Sequence, residues 1–120
     1  MPDPSQDVRN KILGRKAEKL TCRYLKRHGY KILERNFTTP FGEADIIARA
    51  EDGTYCFVEV KARTGEPMVL PSEAVTLKKQ ERYRRIAAFF CTMRRTELPV
   101  RFDVASVLNG ELEYLENAFY

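Results

Sequence analysis

Apolar residues Leu13, Ala17, Leu20 and Tyr24 return at three- and four-residue intervals, so the stretch from about Asp7 to His28 is predicted to be an α-helix. Gly29 stands where a helix needs a left-handed cap. From Tyr30 to Phe37 the pattern changes to alternation, which predicts a strand, and Thr38-Thr-Pro-Phe-Gly42 reads as a turn. Two more strands follow, about Glu43 to Ala50 and Thr54 to Arg63, joined at Asp52-Gly53 as a hairpin. Thr64 to Pro71 reads as a loop. A second helix is expected from Ser72 or Thr76 to Arg94, with Tyr83, Ile86, Ala87 and Phe90 on its buried side. Val100 to Leu108 alternates again, and Asn109-Gly110 is a strong two-residue turn signal that returns a fifth strand, Glu111 to Glu116. The order α-β-β-β-α-β-β predicts an α/β (α+β) fold with a mixed central sheet flanked by helices.

One predicted strand carries the chemistry. Within Tyr55-Cys-Phe-Val-Glu-Val-Lys-Ala62, alternation puts Phe57, Glu59 and Lys61 on one face and Cys56, Val58, Val60 and Ala62 on the other. A carboxylate and an ammonium in so apolar a strand are costly unless paired or put to use. Asp45 lies upstream in the similar run Glu43-Ala-Asp-Ile-Ile-Ala48. Carboxylates that hold Mg²⁺ suit phosphodiester hydrolysis, because the ion polarises the phosphoryl oxygen and lowers the pKa of bound water. Asp45 and Glu59 are the candidate ligands for Mg²⁺ or Mn²⁺, and Lys61 is the candidate cation that positions water and offsets developing charge. Glu18 flanks the apolar stripe of the first helix and is a further candidate. The competing reading is that Glu59 and Lys61 merely neutralise each other, since short patterns of this kind arise by chance.

Strand parity supplies a condition on the site. With an ideal two-residue turn at Asp52-Gly53, Asp45 would face Val60 and point away from Glu59. A shared site therefore requires an odd-length loop or a bulge. The expectation is that this hairpin is not an unbroken two-residue type, and carboxylates on opposite faces would rule out the shared site.

Composition narrows the class. The 120 residues suit a single domain, 1–120, with residues 1–7 expected as a flexible tail. Lys and Arg number 21 against 17 Asp and Glu, and the pI is near 9.0, a balance that suits a polyanionic partner. Lys78, Lys79, Arg82, Arg84 and Arg85 resemble a phosphate-binding helix face, although a solvated face explains them equally. Cys22, Cys56 and Cys91 are widely spaced and His28 is the only histidine, so neither a zinc site nor a disulfide framework is expected. The absence of an apolar spanning run leads to the expectation of a cytoplasmic protein without a membrane partner.

Several motifs in fixed order carry a resemblance. Gly14-x3-Glu18-x6-Leu25, His28-Gly-Tyr-Lys-Ile-Leu-Glu-Arg-Asn36, Gly42-Glu-Ala-Asp-Ile-Ile-Ala48, Phe57-Val-Glu-Val-Lys-Ala-Arg63 and Arg101-Phe-Asp-Val104 resemble the YraN-like family of bacterial proteins, from about Leu13 to Phe119. That resemblance implies a core similar to restriction endonucleases and archaeal Holliday-junction resolvases. It implies metal binding by Asp45 and Glu59 with the carbonyl of Val60, and catalytic roles for Lys61 and Glu18.

The functional expectation is a metal-dependent nuclease acting on DNA, branched or otherwise structured, with Arg63, Lys78, Lys79, Arg82 and Arg85 on phosphates. The resemblance to resolvase-like enzymes, whose paired cuts need two sites, also implies a homodimer, although no surface in the sequence marks an interface. The alternative is a nucleic-acid-binding module in DNA metabolism that performs no catalysis.

Overall fold

The computed structural model describes residues 4–65 and 75–120. Helix α1 (Pro4–Arg27) is followed by strands β1 (Lys31–Thr39), β2 (Gly42–Arg49) and β3 (Tyr55–Arg63), helix α2 (Leu77–Met93), and strands β4 (Val100–Leu108) and β5 (Glu111–Phe119). The expected order is met. The strands form one mixed five-stranded sheet in sequence order; β3 and β4 run parallel and the other neighbours antiparallel. A parallel pair needs a crossover, and α2 supplies it.

The two helices cover opposite faces of the sheet. On the α2 side, Tyr83, Ile86, Ala87 and Phe90 pack on Ile47, Phe57, Phe102 and Val104. On the α1 side, Cys22 and Leu25 pack on Ile46, Ala48, Cys56, Val58 and Ala105. The buried stripe of α2 is the one its periodicity predicts. On α1 the fully buried positions are Ala17, Thr21, Cys22 and Leu25, whereas Leu13, Leu20 and Tyr24 are half-buried. Thr21 escapes an apolar-only reading because its hydroxyl donates to the Ala17 carbonyl at 2.7 Å, which satisfies it inside the helix.

Element ends differ from expectation for local reasons. Helix α1 begins at Pro4, inside the segment read as a tail. Its C-terminus closes at Gly29 (φ 83°), where the Tyr30 N–H donates to the Leu25 carbonyl and the Gly29 N–H to that of Lys26. The turn read over Thr38 to Gly42 shrinks to Pro40 and Phe41, because Thr39 Oγ1 donates to the Gly42 carbonyl and accepts the Phe41 N–H, letting both strands run to the corner. Helix α2 starts after Thr76, whose hydroxyl accepts the Lys79 N–H. The part of the expected loop beyond Gly65, and a helix start at Ser72, lie outside the described residues. Asn109 and Gly110 (φ 51° and 82°) form the expected two-residue turn.

Strand β5 runs three residues past its expected end because a bulge resets its pairing. The β4–β5 register shifts between Phe102 and Val104, and Asn117 opposite takes φ 56°. Asp103, fully buried, fills the gap: it accepts from Asn117 N–H at 2.9 Å, Tyr114 hydroxyl at 2.6 Å, and Arg101 Nε and Nη2 at 2.9 and 3.0 Å. Arg101 also donates to the Tyr30 hydroxyl at 2.5 Å, tying β4 to the segment after α1. The Arg101-Phe-Asp-Val104 motif thus builds a satisfied structural network. The described residues contain no helix long and apolar enough to cross a membrane. The cysteines are free, and burial pushes the Cys22 and Cys56 thiols up, the latter to about 12, which keeps them protonated.

Candidate functional site

The hairpin between β2 and β3 has the odd-length loop that a shared site requires. The Ala50 N–H donates to the Thr54 carbonyl and the Gly53 N–H to the Ala50 carbonyl, leaving Glu51, Asp52 and Gly53 (φ 90°) as a three-residue loop. The Asp52 carboxylate supports it by accepting the Thr54 N–H at 2.9 Å. Pairs such as Ile46↔Val58 and Ala48↔Cys56 follow, and one further step in this register sets Asp45 opposite Glu59.

At that step regular pairing stops. Ala44 and Ile47 both belong to the α2-side core and Ile46 to the α1 side, so strict alternation slips at Asp45. Asn36, set opposite Asp45 by the β1–β2 register, takes φ 52°, a left-handed conformation that asparagine tolerates. The Asp45 carboxylate consequently takes a ladder position: its Oδ2 accepts the Val60 N–H at 2.8 Å. It also lines a cleft of about 260 Å³ on the α1 side with Asn10, Leu13, Gly14, Glu18, Val60 and Ala62. With its amide turned so that nitrogen faces the acids, Asn36 donates to Glu18 Oε1 and Glu43 Oε1, both at 3.1 Å.

Glu59 is buried on the α2 side of β3, 4% exposed. Its Oε2 accepts the Tyr83 hydroxyl at 2.6 Å, and its Oε1 lies 2.5 Å from Lys79 Nζ and 3.6 Å from Lys61 Nζ. The Tyr83 hydroxyl in turn accepts the Asp45 N–H at 3.4 Å, so one side chain of α2 braces both acidic positions. Asp45 thus opens to the α1 side and Glu59 to the α2 side. The odd-length loop does not bring the carboxylates onto a common face, and the condition set by strand parity is not met. They stay near enough for the Glu59 charge to act on Asp45. Among the described residues, no three His, Cys, Asp or Glu side chains are gathered closely enough to hold a metal ion.

The electrostatics follow from this crowding. Burial, then the Glu59 charge, raise Asp45 from the ordinary carboxylate range to about 7, against the pull of the Val60 N–H. Burial, then neighbouring Lys79, lower Lys61, with Glu59 opposing. Burial works against the charge of Lys79, but the Glu59 carboxylate outweighs it and the net shift is upward.

The other expected residues separate into distinct positions. Lys79, read as a phosphate contact, points inward onto Glu59. Lys78 and Arg85 are exposed on α2 and Arg82 is half-buried, its side chain lying over Gly42. Arg84 and Arg85 share Glu81, at 3.2 and 3.5 Å. Arg63 ends β3 two residues beyond Lys61, where its carbonyl accepts the Asn109 N–H. Sequence reasoning missed Tyr83 and Lys79 as members of the site. Their spacing of four, which puts both on one helix face, was the available signal. Tyr83→Phe leaves the buried Glu59 oxygen without its donor, so a loss of about 1–3 kcal/mol is expected in urea unfolding.

The profile of Uncharacterised protein family UPF0102 matches residues 17–107. The chain belongs to this family. Among UPF0102 relatives, a protein of Thermodesulfovibrio yellowstonii is 44% identical over 109 residues, covering 90% of this chain and 96% of the relative. One from Geobacter metallireducens is 45% identical over 118 residues, with 93% and 95% covered. The YraN resemblance of the motifs is thus a UPF0102 membership. Among solved structures, a chain of the EndoMS–dsDNA2 complex aligns at 16% identity and a TM-score of 0.42, covering 78% of this chain and 35% of that one.

Proposed function

We propose that the protein is a metal-dependent nuclease that hydrolyses phosphodiester bonds in DNA, branched or otherwise structured. The observation that carries this reading is the Asp45 carboxylate, held between β2 and β3 by the Val60 N–H, lining a cleft with Glu18 and near enough to Glu59 for that charge to raise it. A carboxyl raised to about 7 by burial and a second carboxylate is a group whose ionised form a divalent cation would stabilise.

Carboxylate and carbonyl oxygens are the donors that a hard cation takes. Asp45 and Glu59 would hold it, joined by the Val60 carbonyl, since a strand residue paired on one side presents its N–H and C=O to the same neighbour and the Val60 N–H faces Asp45. Mg²⁺ characteristically takes one or two carboxylates and keeps waters, so a third acidic side chain is not required. The bound ion would supply a water of lowered pKa and polarise the phosphate. Lys61, held near Glu59 and lowered by burial and Lys79, would orient the attacking water. Glu18, on the cleft wall opposite the strand edge, would hold a further water. Arg63 and the outer residues of α2, Lys78, Arg82 and Arg85, would contact phosphates of the strand.

The test is cleavage of branched and linear DNA with Mg²⁺ or Mn²⁺. Activity that requires metal and falls about 100-fold or more in Lys61→Ala is expected. Undiminished cleavage in that variant removes Lys61 from the mechanism. One observation favours a second reading, a binding module without catalysis: Lys79 already occupies Glu59 Oε1 at 2.5 Å. DNA binding that survives both EDTA and Glu59→Gln, with no cleavage by the wild type, selects that module.

A further inference from the structure

The β1–β2 corner carries a feature that the cleavage site does not use. Phe41 is 44% exposed at the tip of the hairpin, in a position where a turn residue is ordinarily polar. Half-buried Phe89 of α2 backs it edge-on, with ring centroids 6.3 Å apart. On one side a hollow of about 410 Å³ is lined by Pro40, Phe41, Lys78, Glu81, Arg82 and Arg85. On the other, a hollow of about 330 Å³ is lined by Phe41, Arg85, Ala88, Phe89 and Thr92. The aromatic ring thus stands between a basic hollow and an apolar one, with Arg85 common to both.

The charges here are suited to an anion. Glu81 is committed to Arg84 and Arg85, and among the described residues Lys78 and Arg82 have no carboxylate partner within ion-pair distance. The guanidinium stem of Arg82 is fixed over Gly42, where an added Cβ would lie 2.4 Å from Arg82 Cδ. That close approach sets a cation beside the root of the hairpin. The same helix points Lys79 and Tyr83 inward to Glu59, so one element serves both places. Phe41 is four residues from Asp45 along an extended strand, about 13 Å, comparable to the rise of about four stacked nucleotides.

We propose that Phe41, backed by Phe89 and flanked by Lys78, Arg82 and Arg85, is a stacking platform for an unpaired base of the nucleic acid that the candidate site acts on. An exposed ring offers a π-face to any base, and the adjacent cations take the phosphates on either side. A base inside an intact duplex is stacked on both faces and has no face free for Phe41. The platform therefore selects single-stranded or unpaired segments, such as a flap, an overhang or a junction. This inference rests on the nucleic-acid reading of the site.

The experiment measures binding in EDTA at low salt, where no cleavage occurs, to a single-stranded oligonucleotide carrying 2-aminopurine and to a blunt duplex of the same sequence. Wild type, Phe41→Leu and Phe41→Tyr are compared, each checked for an unchanged melting curve. Leucine keeps the apolar contact with Phe89 and lacks the π-face; tyrosine keeps both. The expected result is a loss of about 5-fold or more in single-strand affinity for Phe41→Leu, accompanied by loss of 2-aminopurine quenching. Duplex affinity is expected to stay unchanged, and Phe41→Tyr to match wild type. If Phe41→Leu binds both oligonucleotides like the wild type, or loses equally on both, the stacking platform is overturned while the nucleic-acid reading stands. A wild type that binds neither oligonucleotide overturns both.

Discussion

At pH 8 in EDTA, Asp45→Asn is expected to melt above the wild type, and addition of Mn²⁺ is expected to close more than half of that gap. Burial and the Glu59 charge raise the folded-state pKa of Asp45 to about 7, well above its ordinary value. Between about pH 4 and pH 7 the folded chain keeps a proton that the unfolded chain has released. Stability attached to this proton is fully present below that window, declines as pH rises through it, and is gone above it. Asparagine removes the charge and retains an acceptor for the Val60 N–H. The variant should therefore gain up to about 4 kcal/mol at pH 8, roughly 16 °C for a chain of this size, and almost nothing at pH 4. A metal bound by the ionised carboxylate works the other way. At a concentration about 100 times its Kd it would stabilise the wild type by roughly 2.7 kcal/mol and leave the variant unmoved. Scanning calorimetry at both pH values, with and without Mn²⁺, reads all of these quantities. Mn²⁺ that shifts both proteins equally would detach the cation from Asp45 and remove the support for the nuclease reading.

Asp103→Ala is expected to destabilise the fold by about 3–5 kcal/mol, because it removes one member of a buried charge pair and strands the other. The loss reaches further than Arg101, whose side chain is 17% exposed. The Tyr114 hydroxyl and the Asn117 N–H lose their acceptor together, and the β4–β5 bulge loses what holds it open. Guanidinium unfolding followed by circular dichroism measures the effect. A loss under about 1 kcal/mol would mean that water replaces the carboxylate at little cost, and the network would then not be what fixes the bulge. Because Asp103 lies outside the candidate site, any DNA binding should persist in the folded fraction of this variant.

The contrast between these two aspartates shows what sequence patterns carry. Both sit in apolar strands, and a pattern of apolar and polar positions flags each as a cost without saying how it is met. Partners that meet the cost come from distant segments: Tyr83 of α2 lies within 3.4 Å of the Asp45 nitrogen, and Arg101, Tyr114 and Asn117 close around Asp103. Local periodicity contains no term for such contacts. Lys79 illustrates the same gap, since a lysine on a basic helix reads as solvated until the helix is docked and its ammonium meets Glu59.

The sequence by itself determined the element order, the buried stripe of α2, the faces of β3 and the need for an odd-length loop before it. These are properties of helix and strand periods and of turn residues such as Gly53 and Asn109-Gly110, all of which act within a few residues. It also supplied the family, through motifs in fixed order. Only the tertiary structure decided that Asp45 and Glu59 open to opposite faces of the sheet and not to a common one. Asn36 at φ 52° and the slip of alternation at Asp45 turn that carboxylate toward the Val60 N–H and the α1 cleft, while α2 draws Glu59 to Tyr83 and Lys79. The physical reason is that side-chain direction at an irregular strand position is set by what packs on either side of the sheet. That packing involves residues far apart in the chain.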